Sequence, residues 1–175
     1  MSLEVVMGPM FAGKTTYAIS ALRKYTALGK TVLVIKPALD TRYGYGSVLH
    51  THTGDSIPCM NVATLNSVTN AMIAAYDVFI LDESQFFNGL IGFVEDLVER
   101  YRKKVIVIGL SGDFARRPFG QMLDLIPLAD KVTHLTALCA CGKDAHFSKR
   151  LNPNPGQVII GGPEMYVPSC RACFV

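Results

Sequence analysis

Hydrophobic positions along this chain fall into short unbroken runs, separated by stretches in which they recur every three or four residues. The first run, Leu3-Glu4-Val5-Val6-Met7, ends at Gly8 and predicts a buried strand. Ala18, Leu22, Tyr25 and Leu28 then take helical spacing, which Gly29 closes in the manner of a helix C-terminal cap. Thr31 to Ile35 is β-branched and apolar, a second strand, so the chain opens with a strand–loop–helix–strand unit. From Pro37 to Pro58 periodicity gives way to Gly, Thr, Tyr and His, which predicts a long loop or a pair of irregular strands.

Helical spacing returns at Leu65, Val68, Met72 and Ala75, and Val78-Phe79-Ile80-Leu81 predicts a strand that stops at Asp82-Glu83. Leu90, Ile91, Val94, Leu97, Val98 and Tyr101 mark an amphipathic helix; Val105–Leu110 and Lys131–Leu135 predict two further strands. Strands that are apolar at consecutive positions are buried on both faces. Alternating with helices, they specify an α/β fold with a parallel sheet. Beyond residue 138 the texture shifts to Cys, Gly, Pro and Asn. The expected division is an α/β domain over 1–138 and a small metal-tied appendage over 139–175.

Composition narrows the class. Half of the 175 residues are hydrophobic, which fits a packed core and excludes wholesale disorder. Lys and Arg number 17 against 14 Asp and Glu, a net charge of +3, too mild to mark a nucleic-acid binder. No apolar run is long enough to span a bilayer, and Asp77 breaks the stretch from Ala71 to Leu81. The first ten residues hold Glu4 and no Lys or Arg, so no secretory signal and a cytoplasmic location are expected. Of five cysteines, Cys139, Cys141, Cys170 and Cys173 fall within the last 37 residues. In a reducing compartment such clustering reads first as a metal site; Cys59 reads as a small buried apolar residue.

Two constellations carry chemistry. Gly8-Pro9-Met10-Phe11-Ala12-Gly13-Lys14-Thr15 matches the phosphate-loop pattern G-x4-G-K-[ST] and sits between a predicted strand and helix. Glycines let the backbone wrap phosphate oxygens, and the following helix aims its free N–H groups at them. Lys14 is placed for the β- and γ-phosphates of ATP and the Thr15 hydroxyl for Mg²⁺. Asp82-Glu83 ends an apolar strand, where adjacent side chains point apart. Asp82 is the candidate for the magnesium side, and Glu83 for a general base toward an alcohol or water.

Further motifs follow in order: Asp40-Thr41-Arg42-Tyr43, Asp82-Glu83-Ser84-Gln85-Phe86-Phe87, Arg117-Pro118-Phe119-Gly120, Leu135-Thr136-Ala137, Lys149-Arg150-Leu151, Ile160-Gly161-Gly162 before Tyr166, and Cys170-x-x-Cys173. Together with the phosphate loop they resemble the thymidine kinases of the cellular and poxviral type almost end to end. The resemblance implies a RecA-like P-loop sheet with a zinc-anchored lasso domain, and transfer of the γ-phosphoryl of ATP to the 5′-hydroxyl of thymidine or deoxyuridine. It implies Glu83 as the base, and Arg42, Asp82 and Gln85 with the loop residues on the ATP and magnesium side. Met10, Phe86, Leu110, Phe114, Phe119 and Tyr166 would enclose the nucleoside. Val158, Ile159, Ile160, Gly161 and Gly162 would form a lasso over the base, helped by Ser148. Structural zinc on the four clustered cysteines, a homotetramer, inhibition by thymidine triphosphate and a cytoplasmic salvage role, without nucleic acid or membrane partners, are implied in the same way.

Three departures stand out. Cys139-Ala140-Cys141 is one residue shorter than the usual Cys-x-x-Cys, which calls for a local bend at Gly142 and leaves His146 as an alternative ligand. Ser84 stands where glycine is common, and Ser111 where aspartate is common. The chain ends two residues after Cys173, so no regulatory tail is expected. Two other classes stay open on sequence alone. One is a P-loop ATPase that touches nucleic acid or a protein partner through Arg116-Arg117 and Lys149-Arg150, though such pairs are more often solvated surface charge. The other is an ATP-binding switch without catalysis.

Overall fold

Consecutive apolar residues in one strand require cover on both sides of the sheet, and the computed structural model provides it. It describes residues 1–38, 48–50 (backbone only), 56–152, 156–158 and 161–175; Asp40 to Tyr43, Ile159 and Ile160 lie outside these. The chain begins with β1 (Ser2–Gly8), α1 (Lys14–Ala27) and β2 (Val32–Pro37). An antiparallel pair follows, β3 (Val48–His50) with β4 (Ser56–Pro58), then β5 (Met60–Val62) and α2 (Asn70–Ala75). Next come β6 (Val78–Leu81), α3 (Leu90–Glu95), β7 (Lys104–Leu110) and β8 (Lys131–His134). The main sheet runs β5-β2-β6-β7-β1-β8, with every neighbouring pair parallel.

β6 shows the two-sided burial residue by residue. Phe79 and Leu81 join Val5, Ile35 and Val107 on a face covered by Leu90, Val94 and Leu97. Val78 and Ile80 join Val6, Val34, Ile106 and Ile108 on the opposite face, under Ala18, Ile19 and Ala21 of α1. Cys59 is buried on that second face, as its composition suggested. Each such side chain contributes roughly 1.5–3 kcal/mol by leaving water, and truncating the fully buried Phe79 to alanine would cost about 3–5 kcal/mol.

The structure departs from the periodicity in four places. β5, at the sheet edge beside β2, is only three residues long and carries Asn61, too short and too polar to register as a strand. The helical spacing from Leu65 to Ala75 is divided between a 3-10 turn, Leu65–Ser67, and α2; the Thr69 hydroxyl caps α2 by accepting from the Met72 N–H at 3.3 Å. After Glu95 the helix widens into a π-helical stretch, Asp96–Arg100. Leu28, counted with the apolar stripe of α1, lies past its last turn and is exposed.

Two small hairpins form the C-terminal part: β9 (Ala137–Leu138) with β10 (Asp144–Ala145), and β11 (Phe147–Arg150) with β12 (Tyr166–Ser169). A single turn, α4 (Arg171–Phe174), follows. No helix among the described residues is long and apolar enough to cross a membrane.

Candidate active site

Parallel sheets place ligands beyond the carboxyl ends of their strands, and here β1, β6 and β7 deliver the chemistry there. Gly8 ends β1 so close to Leu135 that a Cβ would stand 2.5 Å from that carbonyl oxygen, so no larger residue fits. The loop then turns through Phe11 (φ 65°) and Gly13 (φ 80°) into α1. Lys14 is buried and donates to the Pro9 carbonyl at 2.6 Å, which draws its ammonium inside the loop. The Met10 N–H donates to Ser148 Oγ at 2.9 Å, while Phe11 and Ala12 pack on Ala137, Cys139, Ala145 and Cys170. The phosphate loop is therefore held by the C-terminal hairpins as well as by its own turn.

Beyond β6, Asp82 is 1% exposed and its N–H donates to the Ile35 carbonyl. Glu83 adopts a left-handed conformation, φ 50° and ψ 40°, unusual for a residue with a side chain. Ser84 explains how that turn holds: its fully buried hydroxyl donates to the Leu81 carbonyl at 3.0 Å and fastens the turn to the strand end. Gln85, also buried, donates from Nε2 to Glu83 Oε2 at 2.6 Å and accepts from the Leu110 N–H at 3.1 Å.

A cleft with about 480 Å³ of empty space, part of it open to solvent, lies beside Glu83. Met10, Phe86, Leu110, Phe114, Phe119 and Tyr166 all line it, and Phe86 meets Phe119 edge to face at 5.4 Å. Ser148, Val158 and Gly161, also expected near a nucleoside, line it too, as does Gln85, which the resemblance had put on the ATP side. Gly162 is turned instead toward Glu164, whose carboxylate accepts its N–H at 2.7 Å. Arg42, Ile159 and Ile160 fall outside the described residues. An apolar slot with a few polar groups at its rim suits a flat nucleobase.

Four lining residues were not singled out for this site from sequence: Gly112, Asp113, Arg150 and Gln157. Arg150 is 9% exposed, neither a phosphate contact nor a solvated charge. Its guanidinium stacks 3.7 Å from the Phe114 ring centre, donates to Tyr166 Oη at 2.9 Å and 3.2 Å, and reaches the carbonyls of Gly156 and Gln157 at 2.5 Å and 3.1 Å. The Lys149-Arg150-Leu151 motif was the only signal for it. Two other basic residues contact neighbouring groups at the surface, Arg116 itself being exposed. Arg116 stacks on Phe174 and Phe147 at 4.5 Å and 5.5 Å, and Lys149 donates to the Cys173 carbonyl at 3.0 Å; Arg117 is exposed.

The sulfurs of Cys139, Cys141, Cys170 and Cys173 lie within 4.8 Å of one another. Tetrahedral zinc–thiolate bonds of about 2.3 Å place sulfurs about 3.8 Å apart, so this donor set fits that ion. The bend required by the short Cys139-Ala140-Cys141 spacing is present. Gly142 sits at φ 82°, its N–H donates to the Cys139 carbonyl at 2.8 Å, and the turn closes β9 onto β10. Backbone N–H groups of Cys141 and Cys170 lower the Cys139 thiol to about 6, whereas hydrogen bonds with Cys141, Cys170 and Cys139 push Cys173 up to about 12. Crowded thiols of this kind share protons that a cation would replace. His146 is not among them; its ring lies 5.8 Å from that of His134.

A phosphate loop that opens beside a largely apolar cleft, with Glu83 in the cleft wall, is built for a small acceptor rather than a polymer. The class is accordingly a P-loop phosphotransferase. The thymidine kinase family model matches residues 1–174. A thymidine kinase of Yaba monkey tumor virus is 43% identical over 98% of this chain and 93% of its own length. Thymidine kinase a of Arabidopsis thaliana is 41% identical over 99% of this chain and 75% of its own, and the monkeypox virus thymidine kinase is 41% identical over 99% and 96%. The chain belongs to the thymidine kinase family, and its reaction by that membership is ATP-dependent phosphorylation of thymidine to thymidine monophosphate.

Proposed function

We propose that thymidine, and deoxyuridine with it, enters the Phe86–Phe119 cleft with its 5′-hydroxyl toward Glu83. The observation that carries this reading is that Glu83 lines the cleft and directly follows buried Asp82, so the turn after β6 serves both halves of the site. Glu83 takes the hydroxyl proton as the 5′-oxygen bonds to the γ-phosphorus of ATP; the bond to the β–γ bridging oxygen breaks and ADP leaves. Lys14 and the N–H groups at the start of α1 hold the phosphate charge. Thr15 and Asp82 present the hard oxygen donors that suit magnesium, which when bound neutralises charge on the phosphates.

Arg42 is assigned to the phosphates, and Val158 to Gly162 to the edge of the base, on the family resemblance. The domain division at 138/139 belongs to this reading, with zinc on the four cysteines fixing the base of the lasso. A cytoplasmic homotetramer inhibited by thymidine triphosphate completes it. The burial of Arg150 between Phe114 and Tyr166 favours this reading over a nucleic-acid ATPase that would use it on phosphates.

The test is ATP-dependent conversion of thymidine to its 5′-monophosphate, with Glu83→Gln and Lys14→Ala run beside the wild type. Glu83→Gln is expected to lower turnover by roughly 10²–10⁴ with little change in ATP affinity. Activity within a few-fold of wild type would remove Glu83 from the role of base. ATP hydrolysis without thymidine phosphorylation would return the lead to the ATPase.

A further inference from the structure

Asp113 stands just beyond β7 with its two carboxylate oxygens in different roles. Oδ1 accepts from the N–H groups of Ala115 and Arg117 at 2.8 Å and 2.9 Å, and the Asp113 N–H donates to the Arg117 carbonyl at 2.9 Å. Those bonds fix the side chain in its own turn. They leave Oδ2 aimed at Gln157, whose Nε2 donates to it at 2.8 Å. The Pro118 carbonyl lies 3.5 Å from the same nitrogen. Two acceptors therefore face one end of the amide, and its orientation is set: a donor is required at that point.

Asp113 is buried, Gln157 is exposed, and both line the cleft. Their neighbours repeat the connection, since Arg150 grips the Gly156 and Gln157 carbonyls while its guanidinium lies on Phe114. The turn after β7 and the segment at 156–158 thus form one wall of the cleft, joined by a charge-assisted hydrogen bond. We propose that the Asp113–Gln157 pair is a specificity-determining strut of the nucleoside half of the site: it sets nucleoside affinity and leaves the ATP half unchanged. The inference rests on the cleft being the nucleoside site.

The test is steady-state kinetics of the full chain. Gln157→Glu sets a carboxylate against Asp113 and the Pro118 carbonyl, and is expected to raise the thymidine KM about tenfold or more with the ATP KM within twofold of wild type. Asp113→Asn combined with Gln157→Glu reverses the hydrogen bond. The asparagine Oδ1 keeps the two backbone N–H groups while its Nδ2 donates to the new glutamate, so the thymidine KM should return most of the way to wild type. Equal thymidine KM values for the single and double variants, or an equal rise in the ATP KM, would overturn the strut. Phe86→Ala separates the two levels. If it raises the thymidine KM while Gln157→Glu does not, the strut alone fails; if neither changes it, the cleft assignment fails and takes the strut with it.

Discussion

Gln85 ties Glu83 to the end of β7: its Nε2 donates to Glu83 Oε2 at 2.6 Å, and its Oε1 accepts from the Leu110 N–H at 3.1 Å. The backbone donor fixes which end of the amide faces the carboxylate. One glutamate oxygen is thereby held in place beside the cleft. Gln85→Leu should lower kcat about tenfold and leave the ATP KM unchanged, the signature of a lost positioning contact. Gly120→Ala should act in the same direction, because its Cβ would stand 2.2 Å from the Gln85 carbonyl oxygen and push the residue aside. A wild-type kcat in Gln85→Leu would show that the turn alone positions the base.

Arg150 serves three elements at once, and its planar fork matters more than its charge. Lysine would keep the charge but could not stack on Phe114 while bonding to Tyr166 and two carbonyls. Arg150→Lys is expected to raise the thymidine KM at least tenfold and to lower unfolding stability by about 2–4 kcal/mol, measured by urea denaturation. Near-wild-type values for both would mean that charge suffices there.

The residues most legible in the sequence were those whose chemistry is local. Val78 to Leu81 is apolar at every position because both faces of β6 are covered, so its ends could be read to the residue. The phosphate loop was legible because its glycines and lysine must follow a strand and open a helix. Asp113, Arg150 and Gln157 were not, since each becomes part of the site only when hairpins far along the chain return to the end of β7. A buried arginine looks like any surface arginine until its partners are known. The same holds for Ser84, whose departure from glycine became intelligible only with the Leu81 carbonyl at 3.0 Å.

Zinc is expected at about one equivalent per chain in protein purified without chelator. Removing it should loosen both the hairpins and the phosphate loop, because Phe11 and Ala12 pack on Cys139 and Cys170. The expected effect is a melting temperature lower by about 10 °C or more, with weaker binding of nucleotide as well as nucleoside. Cys141→Ser should reproduce part of it. Full thermal stability in metal-free protein would mean that the thiols alone hold this region.

The last prediction concerns acid stability and lies away from the cleft. Glu4 is buried in β1, where its Oε1 accepts from the Lys131 ammonium and the Tyr17 hydroxyl, each at 2.6 Å; Lys104 stands 3.6 Å from Oε2. Burial alone would raise this carboxyl, but the hydrogen bonds from Lys131 and Tyr17 outweigh it and hold the group below its ordinary value of 4.5. A lowered folded-state value means that the stabilisation is present in full above the ordinary carboxylate range. It is lost as pH falls below about 4.5 toward the folded-state value, where Glu4 takes up a proton. The contribution ties β8 to β1 and α1, since Lys131 pairs in register with Glu4 and Tyr17 belongs to α1. Glu4→Gln keeps the shape but weakens the bonds, and should cost about 1–3 kcal/mol at pH 7. Its unfolding free energy should also fall less steeply than wild type between pH 5 and pH 3 (roughly the span over which a carboxylate lowered from its ordinary value titrates). Parallel stability curves for the two proteins across that span would place the acid sensitivity in other carboxylates.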